Sequence, residues 1–253
     1  VDVPPWWRMS KKSSMFYLGA GRGDHARHMM TASILCISSV EEAKAIDAYF
    51  GDIRAYIASI EPPKYPFAID AAKAADGKRV FDATCSRCHG TYGASSTYPN
   101  LLIPLSDIAT DALLASGTAQ FTEPMVAWHN ASFFGETARL EPKLGYVPPP
   151  LDGIWATAPF LHNGSVPTLA ALLDSKKRPK YWTRTFKSTD YDQAAVGFVT
   201  QVLEGGKDTA ASSSAKAAIY DTTLPGYGNG GHTYGDALSE TDRTAVIEYL
   251  KSL

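Results

Sequence analysis

The clearest periodic stretch begins at Ser39. Ala43, Ile46, Phe50, Ile53, Ile57 and Ile60 recur at three- and four-residue intervals, which places them on one stripe of an amphipathic helix. Ser39-Val-Glu-Glu42 has the form of a capping box, in which a hydroxyl and a carboxylate satisfy N–H groups that the first turn leaves free. Pro62-Pro63 ends the run, because proline donates no hydrogen bond and disfavours helical geometry in the residue before it. The spacing therefore predicts a helix over 39–60. A second helix is expected to start at Asp70 and run over 71–84, with Val80, Phe81 and Thr84 turned inward. A third is expected over 107–116, ended by Gly117. Ser165 as a cap and Pro167 in the first turn predict a short helix that continues over 168–173. The last helix is capped by Ser239-Glu-Thr-Asp242 and carries Val246, Ile247, Leu250 and Leu253 on its apolar face.

Between these segments the pattern is weaker. Residues 15–19 read as a short extended piece, and 181–186 with 195–200 as two short strands, paired as a hairpin. Val3-Pro-Pro-Trp-Trp-Arg8 reads as an extended segment whose tryptophans lie on a core, or alternatively on a cofactor. Gly19-Ala-Gly-Arg-Gly23 has neither the GxGxxG spacing nor a Walker lysine, so nucleotide binding is rejected, and Arg22-Gly-Asp24 reads as a turn. Residues 98–147 are loop-rich, and 205–214, polar and small, predict a mobile loop. There is no internal repeat. The expected class is mainly α, with long loops and a small β-hairpin.

The chain's 253 residues suffice for one large domain, or a domain and a subdomain. A net charge of −2 gives no electrostatic case for nucleic acid or an anionic membrane surface. No apolar run approaches the length of a membrane span. Of the 3 cysteines, Cys36 sits in the apolar stretch Ser33-Ile-Leu-Cys-Ile37 and is expected to be a buried thiol.

The other two cysteines bring in chemistry. Cys85-Ser-Arg-Cys88-His89 has the two thiols and the following histidine that covalent attachment of haem c requires. On a helix, residues three and four apart share a face, so each thiol reaches one vinyl group while His89 supplies a nitrogen to iron from below. A redox CxxC pair would need a βαβ setting, and a zinc site a second ligand pair nearby; neither is present. One covalent haem c is therefore expected. Because such attachment takes place outside the bacterial cytoplasm, a periplasmic or secreted location is expected; no signal peptide is read at Val1, so a leader removed before it is expected too. His25 and His28 carry ligand chemistry, although histidines that are merely packed are commoner. Arg22, His25 and Arg27 are candidates to pair with haem propionates.

Three stretches carry a resemblance: Gly77-Lys-Arg-Val-Phe-Asp-Ala-Thr-Cys-Ser-Arg-Cys-His-Gly90; Leu151-Asp-Gly-Ile-Trp-Ala-Thr-Ala-Pro-Phe-Leu-His-Asn-Gly-Ser165 with Val-Pro-Thr-Leu after it; and Gly231-His-Thr-Tyr-Gly235, with Leu238-Ser-Glu and the terminal helix. Together they resemble the bacterial dihaem cytochrome c peroxidase superfamily, and within it most closely the rubber oxygenase branch. The resemblance covers most of residues 70–253. It implies a c-type cytochrome domain over 66–253 with inserted loops, preceded by a connector over 1–65, and a terminal helix packed across the haem-motif helix. It also implies His232 as the sixth iron ligand. Met125 is the second candidate, on its thioether chemistry; His162, in the family loop, is the third and is expected rather to bond loop backbone or a propionate; His129 has no special support. A glycine-rich loop around His232 would let backbone approach a flat macrocycle.

Members of that superfamily carry two haem motifs, whereas this chain carries one. The relatives' open iron site lies on the other haem, so the resemblance carries no catalytic residue over to this chain. The expected function is single-electron transfer through a six-coordinate iron, with a redox protein or a second haem domain as partner. The alternative is the C-terminal half, or a subunit, of a dihaem peroxidase or oxygenase, with Trp6 or Trp7 as an electron bridge. A calcium ion between haem domains is a family analogy for which no acidic cluster here supplies ligands.

Overall fold

The structure, a computed structural model, describes residues 4–185, 187 and 189–253. It is about 45% helical and 12% strand, which bears out the mainly-α expectation. The helices are α1 (His25–Met30), α2 (Val40–Ala58), α3 (Ala71–Thr84), α4 (Ser86–His89), α5 (Leu105–Ile108), α6 (Leu113–Phe121), α7 (Glu123–Ala131), α8 (Leu169–Leu173), α9 (Ser213–Ala218) and α10 (Glu240–Lys251).

The caps read from the sequence form as local hydrogen bonds. Ser39 Oγ accepts from the N–H of Glu42, and the Glu42 carboxylate accepts from the N–H of Ser38 at 2.8 Å. Asp70 caps α3 and Ser239 caps α10. The α3–α10 pair is the centre of the fold. The helices cross at Gly77, where a Cβ would stand only 1.9 Å from the Ala245 carbonyl oxygen, so backbone meets backbone. Around the crossing, Phe81, Val246, Tyr249 and Leu250 are buried with Leu169 and Leu173 of α8. Burying each such side chain contributes about 1.5–3 kcal/mol. The N–H of Asp70 donates to the Glu248 carboxylate at 2.9 Å, which ties the start of α3 to α10.

Short strands brace the loops. In the first half these are β1 (Ser14–Met15), β2 (Gly21–Gly23), β3 (Ile103–Pro104), β4 (Ala138–Leu140) and β5 (Gly145–Tyr146); β2 pairs with both β1 and β4, and β3 with β5, all antiparallel. In the second half they are β6 (Tyr181–Arg184), β7 (Tyr191–Asp192), β8 (Gly197–Phe198), β9 (Thr200–Val202) and β10 (Tyr220–Asp221); β6 lies between β9 and β10, and β7 pairs with β8. Residues 14–23 of the expected connector thus share a sheet with 138–140.

Several expectations are corrected. The helix expected over 107–116 is broken: α5 ends at Ile108, Ala109 takes a left-handed conformation (φ 52°), and α6 runs on through Gly117. The break frees the Ile108 carbonyl to accept from the N–H of His232 at 2.8 Å, a partner distant in sequence. The segment Trp6–Lys11 is a 3₁₀ helix, not extended. Trp7 donates to the Asp152 carbonyl at 2.9 Å and packs on Gly153, which supports the packing reading of that side chain. Arg22 and Gly23 belong to β2, and Asp24 caps α1 instead of making a turn. Thr168, not Ser165, caps α8: Val166 is engaged in a bridge with Phe160, and the helix begins only at Leu169. The partner of β6 begins only at Thr200, since Gly197 and Phe198 are taken by β7; Phe186, the expected end of the first strand, lies outside the described residues. Within 205–214 a 3₁₀ turn forms, with the N–H of Lys207 donating to Asp221 at 3.0 Å.

Cys36 is exposed rather than buried. The preceding stretch, Thr31–Leu35, is a 3₁₀ helix, whose three-residue spacing turns Ile34 and Ile37 toward Met30 and Phe134 and leaves Leu35 and Cys36 outside. The apolar stripe of α2 is only partly used. Ala43 and Ile57 are buried, whereas Ile53 is 39% exposed. Among the described residues no helix is long and apolar enough to cross a membrane.

Candidate functional site

Helix α3 delivers Cys85 at its end, and α4 is a single turn that places Ser86 to His89 beside it. Gly90 then reverses the chain at φ 81°, and a Cβ there would stand 1.9 Å from the Thr97 carbonyl oxygen, so a side chain has no room. The motif faces a cavity of about 520 Å³, within the range of roughly 300–1,000 Å³ typical of cofactor sites. Its wall is mostly apolar and includes Leu101, Leu151, Phe160, Leu173, Val246 and Leu250.

The carbonyls of Pro148 and Pro149 accept hydrogen bonds beside the motif. Pro149 O accepts from His89 Nδ1 at 2.8 Å, and Pro148 O accepts from the Tyr98 hydroxyl at 2.7 Å. The Tyr92 hydroxyl donates to the His89 carbonyl at 3.0 Å and accepts from the N–H of Leu151 at 2.6 Å. With its proton on Nδ1, His89 presents an unprotonated Nε2, the form a metal needs. Burial pushes the His89 pKa down. Burial likewise raises the pKa of the Cys85 thiol.

Facing His89 is His232, with ring centroids 6.2 Å apart and ring planes inclined by 69°. A metal–imidazole bond is about 2.0–2.1 Å and the ring centroid lies about 1.1 Å behind the nitrogen, so two imidazoles on opposite sides of one iron would have centroids about 6.2–6.4 Å apart. The pair matches that separation. Burial, with His89 and Arg178 adding to it, pulls the His232 pKa down to about 4, so the ring is neutral at pH 7. Its Nδ1 is buried with no partner among the described residues. Cys85 and Cys88 with their flanking histidine, an apolar slot and a second neutral imidazole fit a covalently held haem, which Cys85, Cys88 and His89 would hold.

Of the sequence candidates, the cavity wall brings together Cys85, Cys88, His89, His162 and His232. His162 is stacked on Tyr146, with centroids 4.0 Å apart, and burial drives its pKa down to about 4. Met125 lies off the wall and is 41% exposed. His129 is fully buried elsewhere, bonded to the Ala138 carbonyl at 2.7 Å and stacked on His28 at 5.3 Å. Arg22, His25 and Arg27 are also off the wall; Arg27 pairs with Asp47 and with the Phe133 carbonyl. The buried cation on the wall is instead Arg8, which donates to the Asp152 carbonyl at 3.0 Å and whose pKa burial lowers to about 10. Arg8 was not singled out by sequence reasoning; an arginine directly after two tryptophans is the signal that marks it. Among the described residues no group of three or more His, Cys, Asp or Glu side chains gathers to hold a metal ion without haem.

The family described as "Cytochrome C oxidase, cbb3-type, subunit III" matches residues 72–139, and the one described as "RoxA-like, cytochrome c-like" matches residues 145–183. The first span contains the haem-attachment motif and the second the proline-rich loop. Over its whole length the chain is 28% identical to the uncharacterized protein y4iM of Sinorhizobium fredii, covering 64% of that protein. It is 37% identical over 57% of its length to the uncharacterized protein y4iJ of the same organism, covering 25% of that one. The chain thus spans less than two thirds of the length of either relative.

Proposed function

We propose that this c-type cytochrome is a one-electron carrier with a single haem, bound covalently through Cys85 and Cys88 and ligated by His89 and His232. The observation that carries the reading is the 6.2 Å separation of the two neutral imidazoles across the cavity behind the motif. When bound, haem supplies one-electron redox chemistry at iron. The residues of the chain do the rest. Pro149 O fixes the tautomer of His89 through Nδ1, and the Tyr92 hydroxyl anchors its backbone to the 148–151 loop. The apolar wall excludes water, and Arg8 offers a buried positive charge to the carboxylates of the macrocycle. With His89 and His232 both holding the iron, no position would remain for substrate and little would have to reorganise on electron transfer. Two nitrogen ligands would also set a lower potential than a His/Met pair. The reading includes a periplasmic or secreted setting and a redox protein as partner, with residues 1–65 as the connecting segment.

A second reading has a specific motive. The match of residues 145–183 to the RoxA-like cytochrome c family, beside the resemblance to the dihaem superfamily, favours a chain that works beside a second haem domain, as in a dihaem peroxidase or oxygenase. Here too the present site is the closed, electron-transferring one.

The test is His232→Ala. Loss of the sixth ligand is expected to convert a low-spin spectrum to high-spin and to admit carbon monoxide to the reduced protein. An unchanged low-spin spectrum would transfer the role to His162, the other histidine of the wall.

A further inference from the structure

The loop that carries His232 is held from outside at its start by Asn163 and Asp111, which bond Gly226 and Gly228, and at residues 229–232 by Arg178. Arg178 follows the 3₁₀ turn Ser175–Lys177 and is half-buried. Its Nε donates to the Ala171 carbonyl at 3.1 Å, and Nη2 to those of Leu172 at 3.0 Å and His232 at 3.0 Å. Nη1 donates to the carbonyls of Asn229 and Gly231, both at 2.7 Å. A guanidinium has five N–H donors in a rigid plane, and here each meets a different backbone carbonyl. Two of the acceptors belong to α8, whose Leu172 and Leu173 form part of the cavity wall. The other three belong to the loop.

That loop needs holding. His232 has a left-handed backbone at φ 44°, a conformation that non-glycine residues keep only where their surroundings over-determine it. Gly231 beside it, at φ 73°, is pressed so closely on the α5–α6 break that a Cβ would stand 2.3 Å from the Ala109 carbonyl carbon. The peptide of His232 is gripped on both sides, its N–H by the Ile108 carbonyl and its C=O by Arg178. Asp236 secures the approach of Arg178, accepting from the N–H and hydroxyl of Ser175 at 2.8 and 2.6 Å.

We propose that Arg178 is the positioning residue that sets the reach of His232 to the iron, by locking the ligand loop to the cavity helix α8. The proposal rests on the reading of His232 as an axial ligand. A lysine at this position keeps the charge but carries three donors on one nitrogen instead of five in a rigid plane, so it cannot hold all five carbonyls at once. A glutamine loses the charge as well.

The experiment compares holoproteins carrying Arg178→Lys, Arg178→Gln and His232→Ala with the parent. Covalent haem is checked by stain and folding by circular dichroism. The reduced spectra are then titrated with carbon monoxide. Outer partners of a metal ligand typically change its affinity about 10–100-fold, so apparent carbon monoxide affinity is expected to rise by about that factor in both Arg178 variants. Added imidazole is expected to restore the low-spin spectrum. If Arg178→Gln does not accumulate folded, Arg178→Lys carries the same measurement. A lowered melting temperature with carbon monoxide still excluded, while His232→Ala opens the iron, would make Arg178 merely structural and overturn the proposal. A His232→Ala protein indistinguishable from the parent would overturn the ligand reading itself.

Discussion

Replacing Gly77 with alanine sets two opposed effects against each other at the crossing that positions the haem motif. In an exposed helix interior, glycine to alanine stabilises by about 0.8–1 kcal/mol through backbone entropy. At Gly77 the new Cβ would fall 1.9 Å from the Ala245 oxygen, 2.4 Å from its carbonyl carbon and 2.9 Å from the Val246 nitrogen. Ordinary contact begins near 3.4 Å, so α3 and α10 must separate by about 1.5 Å. A gap of only about 0.5–1 Å already forfeits a quarter to a half of a dispersion contact, and the contacts at stake include those of Phe81, Val246, Tyr249 and Leu250. Overpacking of this kind costs about 1–3 kcal/mol, and more where the backbone itself must move. Because the backbone itself must move here, the cost lies at about 3 kcal/mol or above; packing therefore outweighs propensity, and Gly77→Ala is expected to destabilise by about 2 kcal/mol or more net. Gly51 in α2 provides the control, since its Cβ would meet nothing within 4 Å. Gly51→Ala should stabilise by about 0.5–1 kcal/mol. For a chain of this size each kcal/mol moves the melting temperature by about 2–4 °C. Guanidinium denaturation followed by circular dichroism, with equal m values, separates the two variants by the sign of their midpoint shifts. A Gly77→Ala protein as stable as the parent would refute the backbone-to-backbone crossing.

Two further outcomes are expected. Met125 is exposed and off the cavity wall, so Met125→Leu should leave the haem spectrum unchanged, as an optical comparison of the oxidised and reduced forms would check. Burial lowers the pKa of His28 below its ordinary 6.5, with the neighbouring His129 adding to the effect, so the unfolded chain takes up a proton that the folded one resists. The resulting stability is complete above pH 6.5 and falls as the pH drops from there toward the folded pKa; the fall is expected to be shallower in His28→Phe, by denaturation midpoints at pH 5 and 7.5.

What was legible in the sequence was local. The caps at Ser39, Asp70 and Ser239 are hydrogen bonds between residues three apart, so their signals survive without knowledge of the fold. Cys85, Cys88 and His89 are fixed by spacing along one turn and a half. His232 as the partner of His89 came from resemblance alone; the two rings lie 6.2 Å apart. What could not be read depended on distant partners. The break at Ala109 exists because the His232 peptide docks on Ile108, more than a hundred residues away in the chain. Ser165 failed as a cap: Val166 is engaged in a bridge with Phe160, and the helix begins only at Leu169. Arg178 stands in Lys176-Lys177-Arg178, which reads as a solvated basic run, and only the fold brings five carbonyls around it. Cys36 was misplaced because a 3₁₀ helix, not a strand or α-helix, decides which side of that apolar stretch turns inward.

The most direct test of the account is the optical spectrum of the dithionite-reduced protein before and after carbon monoxide. Two histidines on one iron predict sharp low-spin bands that carbon monoxide leaves unchanged. A clear shift of those bands would mean that an axial position is open, contradicting the closed site formed by His89 and His232.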